Sequence, residues 1–299
     1  MGQEEQKIGR ICVFGDSLQD NGNIAKVLGF PLAPFDGGRF CDGPVANEYL
    51  RDSIEARQKS EVSLLNYAIG GALTSGKNPK SLLTDQAFPV GDQLDRFVSQ
   101  EHRFKSDDLI SLNTGGNNFL FAIHDESPYI NVSAIYRVAD DLFQHTNRVI
   151  ALGARKIILW NVPDVTITPA YDVAPFPKWF AKYYKKFIKR NIQKQNTKLQ
   201  DYALELKRKY PYVQIEVLDA FNLMDDVLED PMAHGFANAT DPCVKSFGGV
   251  DDKGNIQHDL EILGDPTTHL FWDYVHPTSK GQKMIADEMY ASLYALDKE

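Results

Sequence analysis

Ile11-Cys12-Val13-Phe14-Gly15-Asp16-Ser17-Leu18, continued by Gln19-Asp20-Asn21-Gly22-Asn23, runs from four apolar residues through a glycine into a serine and a cluster of turn residues. A short, wholly apolar run of this kind reads as a strand buried on both faces, as in a parallel sheet. The Asp/Asn/Gly cluster ends the strand and opens a helix. A serine there is held rigidly at the rim of the sheet, and the unpaired N–H groups of the helix behind it favour an anion. Ser17 therefore reads as a candidate nucleophile, beside its plainer reading as a helix N-cap. A nucleophilic serine needs a base. Phe271-Trp272-Asp273-Tyr274-Val275-His276-Pro277-Thr278 supplies one. Asp273, three residues before His276, can hold the imidazole Nδ1–H from within one loop and leave Nε2 to take the serine proton.

Working outward, Val62–Tyr67, Asp108–Asn113, Lys156–Trp160 and Val213–Leu218 read as four further strands. Val45–Ile54, Asp92–Gln100, a long amphipathic stretch Val132–Leu152 closed by Gly153, and Lys280–Leu296 read as helices. Short strands alternating with helices predict an α/β fold, a flavodoxin-like three-layer α/β/α sandwich on a five-stranded parallel sheet, with residues 1–299 as one domain. Ligands of such sheets bind at the carboxyl ends of the strands, where Ser17, Gly70-Gly71, Gly115-Gly116-Asn117 and the loop after the fifth strand all fall.

Four blocks together, Phe14-Gly15-Asp16-Ser17-Leu18, Asn66-Tyr67-Ala68-Ile69-Gly70-Gly71-Ala72, Gly115-Gly116-Asn117-Asn118 and Asp273-Tyr274-Val275-His276-Pro277-Thr278, resemble in order the blocks of the GDSL-type serine esterases and lipases, the SGNH hydrolases. The resemblance implies acyl-ester hydrolysis by Ser17, His276 and Asp273. It also implies an oxyanion site made by the Ser17 and Gly71 N–H groups and the Asn117 side chain. No cofactor is implied. Asn118 departs from the Asp common at that place, which puts the orientation of Asn117 in question. Together with Gly22-Asn23, Gly38-Arg39-Phe40 and Phe271-Trp272-Asp273, the pattern looks most like bacterial phospholipases A, lysophospholipases and glycerophospholipid:cholesterol acyltransferases. The expected substrate is accordingly a lysophospholipid or phospholipid, with acyl transfer to an alcohol as a variant of the same chemistry. Phe35, Phe119, Leu120 and Phe121 are candidate acyl-chain contacts or, equally, core residues. A carbohydrate acetylesterase is the enzymatic alternative. A non-catalytic lipid-binding module is disfavoured by the presence of all three triad residues, and a flavodoxin-like cofactor role by the lack of a Gly-rich phosphate loop after the first strand.

With 299 residues, 43% of them hydrophobic, the chain can bury a core without metals or disulfides, and a net charge of −9 argues against a nucleic-acid partner. The polar start Met1-Gly2-Gln3-Glu4 has no signal-peptide core, which fits a mature secreted chain, the leading expectation, or a cytosolic one. Of three cysteines, Cys12 reads as a core residue and a Cys41–Cys243 bridge stays open. Secreted relatives often pair a cysteine near position 243 with one where this chain has Gly264, so the resemblance implies that this disulfide is missing. Two insertions, 166–178 and 225–269, are expected to wall or cover the site. The helix over 178–198 interleaves Trp179, Tyr183, Tyr184 and Phe187 with eight lysines and arginines, which suits either a solvated face or peripheral contact with a lipid surface. His234, His258, His269 and the Asp251–Asn255 stretch match no metal-ligand spacing.

Overall fold

A computed structural model of the chain describes residues 7–77, 88–122, 132–173, 177–251 and 253–294. Strands β1 (Arg10–Phe14), β2 (Ser63–Asn66), β3 (Asp108–Leu112), β4 (Lys156–Trp160) and β5 (Gln214–Leu218) form one parallel sheet in the order β2-β1-β3-β4-β5. The opening stretch decides this arrangement because Ile11 to Phe14 are wholly buried. Alternation along the strand sends Ile11 and Val13 to one face and Cys12 and Phe14 to the other.

In chain order the helices are α1 (Asn23–Leu28), α2 (Ala46–Gln58), α3 (Val90–Ser99), α4 (Gly116–Leu120), α5 (Val132–Tyr136), α6 (Val138–Ala151), α7 (Ala170–Val173), α8 (Lys178–Lys209), α9 (Ala220–Glu229) and α10 (Ser279–Tyr294). On the Ile11/Val13 face, Leu50 and Ile54 of α2 and Ile285 and Met289 of α10 close one core. On the Cys12/Phe14 face, Leu94 of α3, Leu142 of α6 and Ile188 and Ile192 of α8 close the other. The three layers are those expected from the sequence.

Three expectations are corrected. The stretch 132–152 is two helices, α5 ending at Tyr136 and α6 starting at Val138, and the Ala134 carbonyl accepts from the Asn118 side chain (2.8 Å). The helix beginning at 178 continues to Lys209. Insertion 225–269 is not wholly irregular: its start belongs to α9, and β6 (Asn238–Pro242) pairs in parallel with β7 (His269–Phe271). Polar Asn238-Ala239-Thr240-Asp241-Pro242 carries no strand alternation, so nothing in the sequence announces this pair. In the other insertion, Pro175 and Phe176 lie outside the described residues.

Candidate active site

Because β1 pairs with β2 on one side and β3 on the other, the strand order reverses beside it, and the loops after β1 and β3 diverge to leave a crevice. Ser17 enters this crevice on a tight turn in which the Asp16 carbonyl accepts from the Gln19 and Asp20 N–H groups (3.1 and 3.0 Å). The turn is clamped from behind. Gln93 accepts from the Gly15 N–H (2.9 Å) and donates to its carbonyl (2.8 Å), acting as an extra strand neighbour. Asp20, wholly buried, accepts four backbone N–H groups, from Gly22 (2.9 Å), Asn23 (2.5 Å), Ile24 (3.0 Å) and Gly70 (2.8 Å). One carboxylate thus joins the nucleophile turn to the Gly70-Gly71 loop after β2.

The loop after β7 brings in the base. His276 Nε2 lies 2.8 Å from Ser17 Oγ, and Nδ1 lies 2.9 Å from each carboxylate oxygen of Asp273. Since an ionised carboxylate only accepts, Nδ1 carries the proton and Nε2 presents its lone pair to the serine hydroxyl. Asp273 is wholly buried, and Ser17 and His276 nearly so. Its Oδ1 also accepts from the Val275 and His276 N–H groups (2.8 and 2.7 Å), and its Oδ2 from the Gly248 N–H (2.8 Å). The second insertion therefore reaches under the triad to hold the aspartate, a role no sequence signal announces. Asp16, buried beside Ser17, has its carboxyl pushed up to about 7 by desolvation, opposed by the Leu18 N–H and by nearby His276.

Asn117 opens α4 with its side chain toward the crevice. Its Nδ2 donates one hydrogen to the Ala72 carbonyl (2.9 Å), which leaves the second for an incoming oxygen. Gly71, in the same loop, has φ 77°, a conformation that disfavours any side chain. The replacement of Asp by Asn at 118 is matched by its surroundings: Oδ1 accepts from the Thr74 N–H (3.1 Å), while Nδ2 donates to Thr74 Oγ1 (3.0 Å) and the Ala134 carbonyl (2.8 Å). A carboxylate could not make the last two bonds as donor.

From Ser17, His276 and Asn117 a cavity of about 700 Å³, its open mouth included, extends between α4, α9 and the loop after β4. Apart from Asp16, Asp164 and Thr168 its deeper walls are apolar, with Leu120, Val165, Ile167, Leu223, Met224 and Val275 prominent. Of the four expected acyl-chain contacts, Leu120 alone lines it. Leu120 lies one helical turn from Gly116 and shares its face, whereas Phe119 is rotated into the main core and is wholly buried. Phe35 packs edge-on against Trp272 (5.9 Å) in a separate cluster with Cys41 and Cys243. Half-buried Phe121 caps α4, its N–H on the Asn117 carbonyl. Leu223 and Met224 were missed because α9 itself was.

Elsewhere the three cysteines are free and buried. Leu263 N–H bonds the Cys243 carbonyl (2.7 Å), so Gly264 does lie beside Cys243, and the room for a side chain at 264 is taken by the His269 imidazole. Among the described residues no cluster of three metal-ligating side chains occurs. On α8, Trp179 and Tyr183 are 69% and 70% exposed, with Lys182, Lys186 and Arg190 exposed on the same side. Lys189 instead points inward to Asp164 (2.9 Å) and Asp225 (3.1 Å), and Lys185 pairs with Asp172 (2.6 Å). The basic run is therefore partly structural.

Comparison with known proteins agrees with the geometry. The profile of the GDSL-like lipase/acylhydrolase family matches residues 11–289. A GDSL esterase/lipase of Arabidopsis thaliana, APG, is 24% identical over 97% of this chain and 92% of its own length. The thermolabile hemolysin of Vibrio parahaemolyticus is 26% identical over 97% of this chain and 65% of its own, and the phosphatidylcholine-sterol acyltransferase of Aeromonas hydrophila 26% identical over 90% and 85%. Among solved structures, an acetylxylan esterase of Geobacillus stearothermophilus shares the fold at TM-score 0.53 and 14% identity, over 97% of this chain and 96% of its own. A profile matched across nearly the whole chain, on a sheet whose strand ends bring a serine, a histidine and an aspartate into hydrogen-bonded sequence, makes this chain a member of the GDSL lipase/acylhydrolase family and an esterase or lipase.

Proposed function

We propose that the chain hydrolyses long-chain acyl esters of lipids, lysophospholipids and phospholipids foremost. The observation that carries this reading is the cavity opening directly on the Ser17–His276 pair, whose largely apolar walls suit the hydrocarbon of an acyl chain. Ser17 Oγ attacks the ester carbonyl as its proton passes to His276 Nε2. The imidazolium so formed is held by Asp273. The tetrahedral oxyanion is met by the Asn117 amide together with the N–H groups of Ser17 and Gly71. His276 then protonates the departing alcohol, leaving an acyl-enzyme on Ser17. Water, deprotonated by the same histidine, attacks the acyl carbon and releases the fatty acid, and an alcohol in its place would make the reaction acyl transfer. At a lipid surface the exposed Trp179, Lys182, Tyr183 and Lys186 of α8 serve as the contact, indole and phenol at the headgroup level and ammonium groups toward phosphate.

The test is fatty-acid release from a lysophosphatidylcholine, and turnover of a short aryl ester, by the wild type and by Ser17→Ala. Release by the wild type and its loss in Ser17→Ala is the expected result. Turnover of acetylated sugars and the aryl ester through Ser17, with none of the lysolipid, would replace the lipid reading with that of an acetylesterase.

A further inference from the structure

Phe40 stands outside the triad and outside the oxyanion contacts, yet three parts of the site close on its ring. Its centroid lies 5.0 Å from that of the His276 imidazole, with the two planes tilted by 32°. On another edge the ring fills the space where Gly70 would carry a Cβ, 2.4 Å from Cζ and 2.5 Å from Cε2. On a third it fills that of Gly248, 2.8 and 2.9 Å from Cε1 and Cδ1. Gly70 gives its N–H to Asp20 and precedes Gly71, while Gly248 gives its N–H to Asp273. The ring itself is fixed: Phe40 is 5% exposed and packs with Ile24, Phe30, Ile69 and Ala72. Its loop is pinned on both sides, by Arg39 on Glu48 (2.8 Å) and by Asp42 accepting from Ser279 N–H (2.7 Å).

We propose that Phe40 is a positioning residue that sets the spacing between base, aspartate and oxyanion loop. The three catalytic segments come from after β1 and β2 and from before α10, and among the described residues no strand or helix hydrogen bond joins Gly70 to Gly248 or either to the imidazole. The phenyl ring is the solid body between them. With it in place the imidazole cannot swing off the Ser17–Asp273 line, and the Gly70-Gly71 loop cannot sink toward the histidine. Displacements of about 1 Å in such a constellation cost on the order of a hundredfold in rate. Glycine at 70 is explained by the same contact, since no positive φ is needed there.

The inference rests on Ser17, His276 and Asp273 acting as proposed above, so Ser17→Ala is measured beside every variant: a short aryl ester still turned over by Ser17→Ala removes that reading, whatever Phe40 does. With Ser17→Ala inactive, Phe40→Ala is expected to lower kcat per active site, counted by titration with a serine-directed phosphonate, at least tenfold while KM stays within threefold. Phe40→Leu, which keeps apolar bulk without the ring, should fall between and serves if Phe40→Ala does not fold. Gly70→Ala should lose at least tenfold by collision with the ring, and the double variant should be no slower than Phe40→Ala, because the ring is gone. A kcat per titrated site within twofold of wild type in both Phe40 variants, or single losses that multiply in the double variant, would overturn the proposal.

Discussion

Replacing Asp20 tests how the nucleophile turn is built. Its carboxylate takes two N–H groups on each oxygen, Gly22 and Asn23 on Oδ1 and Ile24 and Gly70 on Oδ2. Bonds to an ionised acceptor are each worth roughly 1.5–3 kcal/mol net. Their plain sum would rival the stability of a whole domain, but burial of the charge works against them and pushes the Asp20 carboxyl up despite the four donors. Water entering the vacated space of Asp20→Ala also recovers some of the donors' bonds. The expected loss is therefore about 3 kcal/mol, near that of breaking a buried polar network. For a chain of 299 residues this lowers the melting temperature by about 5 °C. Asp20→Asn is the sharper variant. It is isosteric, yet whichever end of the amide becomes NH2 aims its hydrogens at two backbone donors, so it should destabilise as much as alanine and lower kcat more than tenfold by freeing Gly70. Thermal and urea unfolding of both variants beside aryl-ester kinetics decides the matter. An Asp20→Asn protein within about 0.5 kcal/mol of wild type would refute the reasoning.

Asp16 links stability to pH. Its carboxyl is raised from 3.8 to about 7, so between these values the folded chain holds a proton that the unfolded chain has released, and stability falls as pH rises through that window, by about 4 kcal/mol in all, then levels off. Asp16→Asn, which can still accept from the Leu18 N–H, should flatten this slope and exceed wild type in melting temperature at pH 8; equal slopes from pH 4 to 8 would contradict it. Removing the Asn117 amide donor in Asn117→Ala should lower kcat about 10²–10³-fold with KM little changed, as steady-state kinetics on a short ester will show.

The inner strands β1, β3 and β4 were legible because each is a short, largely apolar run buried on both faces and bounded by polar or turn residues, while the partly buried edge strands β2 and β5 were legible from Leu64-Leu65 and from the alternation of Ile215 and Val217 with polar neighbours. The triad was legible because its members stand beside those punctuation marks, Ser17 after Gly15-Asp16 and His276 before Pro277. What escaped notice depends on distant parts of the chain. Gly248 holds Asp273 through a backbone N–H, which every residue type but proline has, so its sequence carries no sign of the task. Phe35 and Phe119 suggested a lipid pocket by their chemistry alone, and only the turn of α4 and the position of Trp272 send them into cores. Asp20 could have been found: an aspartate before Asn-Gly-Asn is a turn signature whose carboxylate accepts the N–H groups just ahead of it, although its fourth donor, Gly70, could not.

The hydroxyl and the imidazole that share one hydrogen bond are 259 residues apart, and the base arrives just ahead of α10, whose Ile285 and Met289 complete the core beneath β1. During synthesis, all five strands of the sheet exist before His276 does. A nascent chain can thus be largely structured and still chemically inert, which withholds the ester-cleaving activity until the segment around residue 276 has been made and has docked. The same separation makes the protein a natural split reporter: two fragments divided anywhere between the fifth strand and β7 would each lack half of the proton-transfer pair, and turnover would report their reunion.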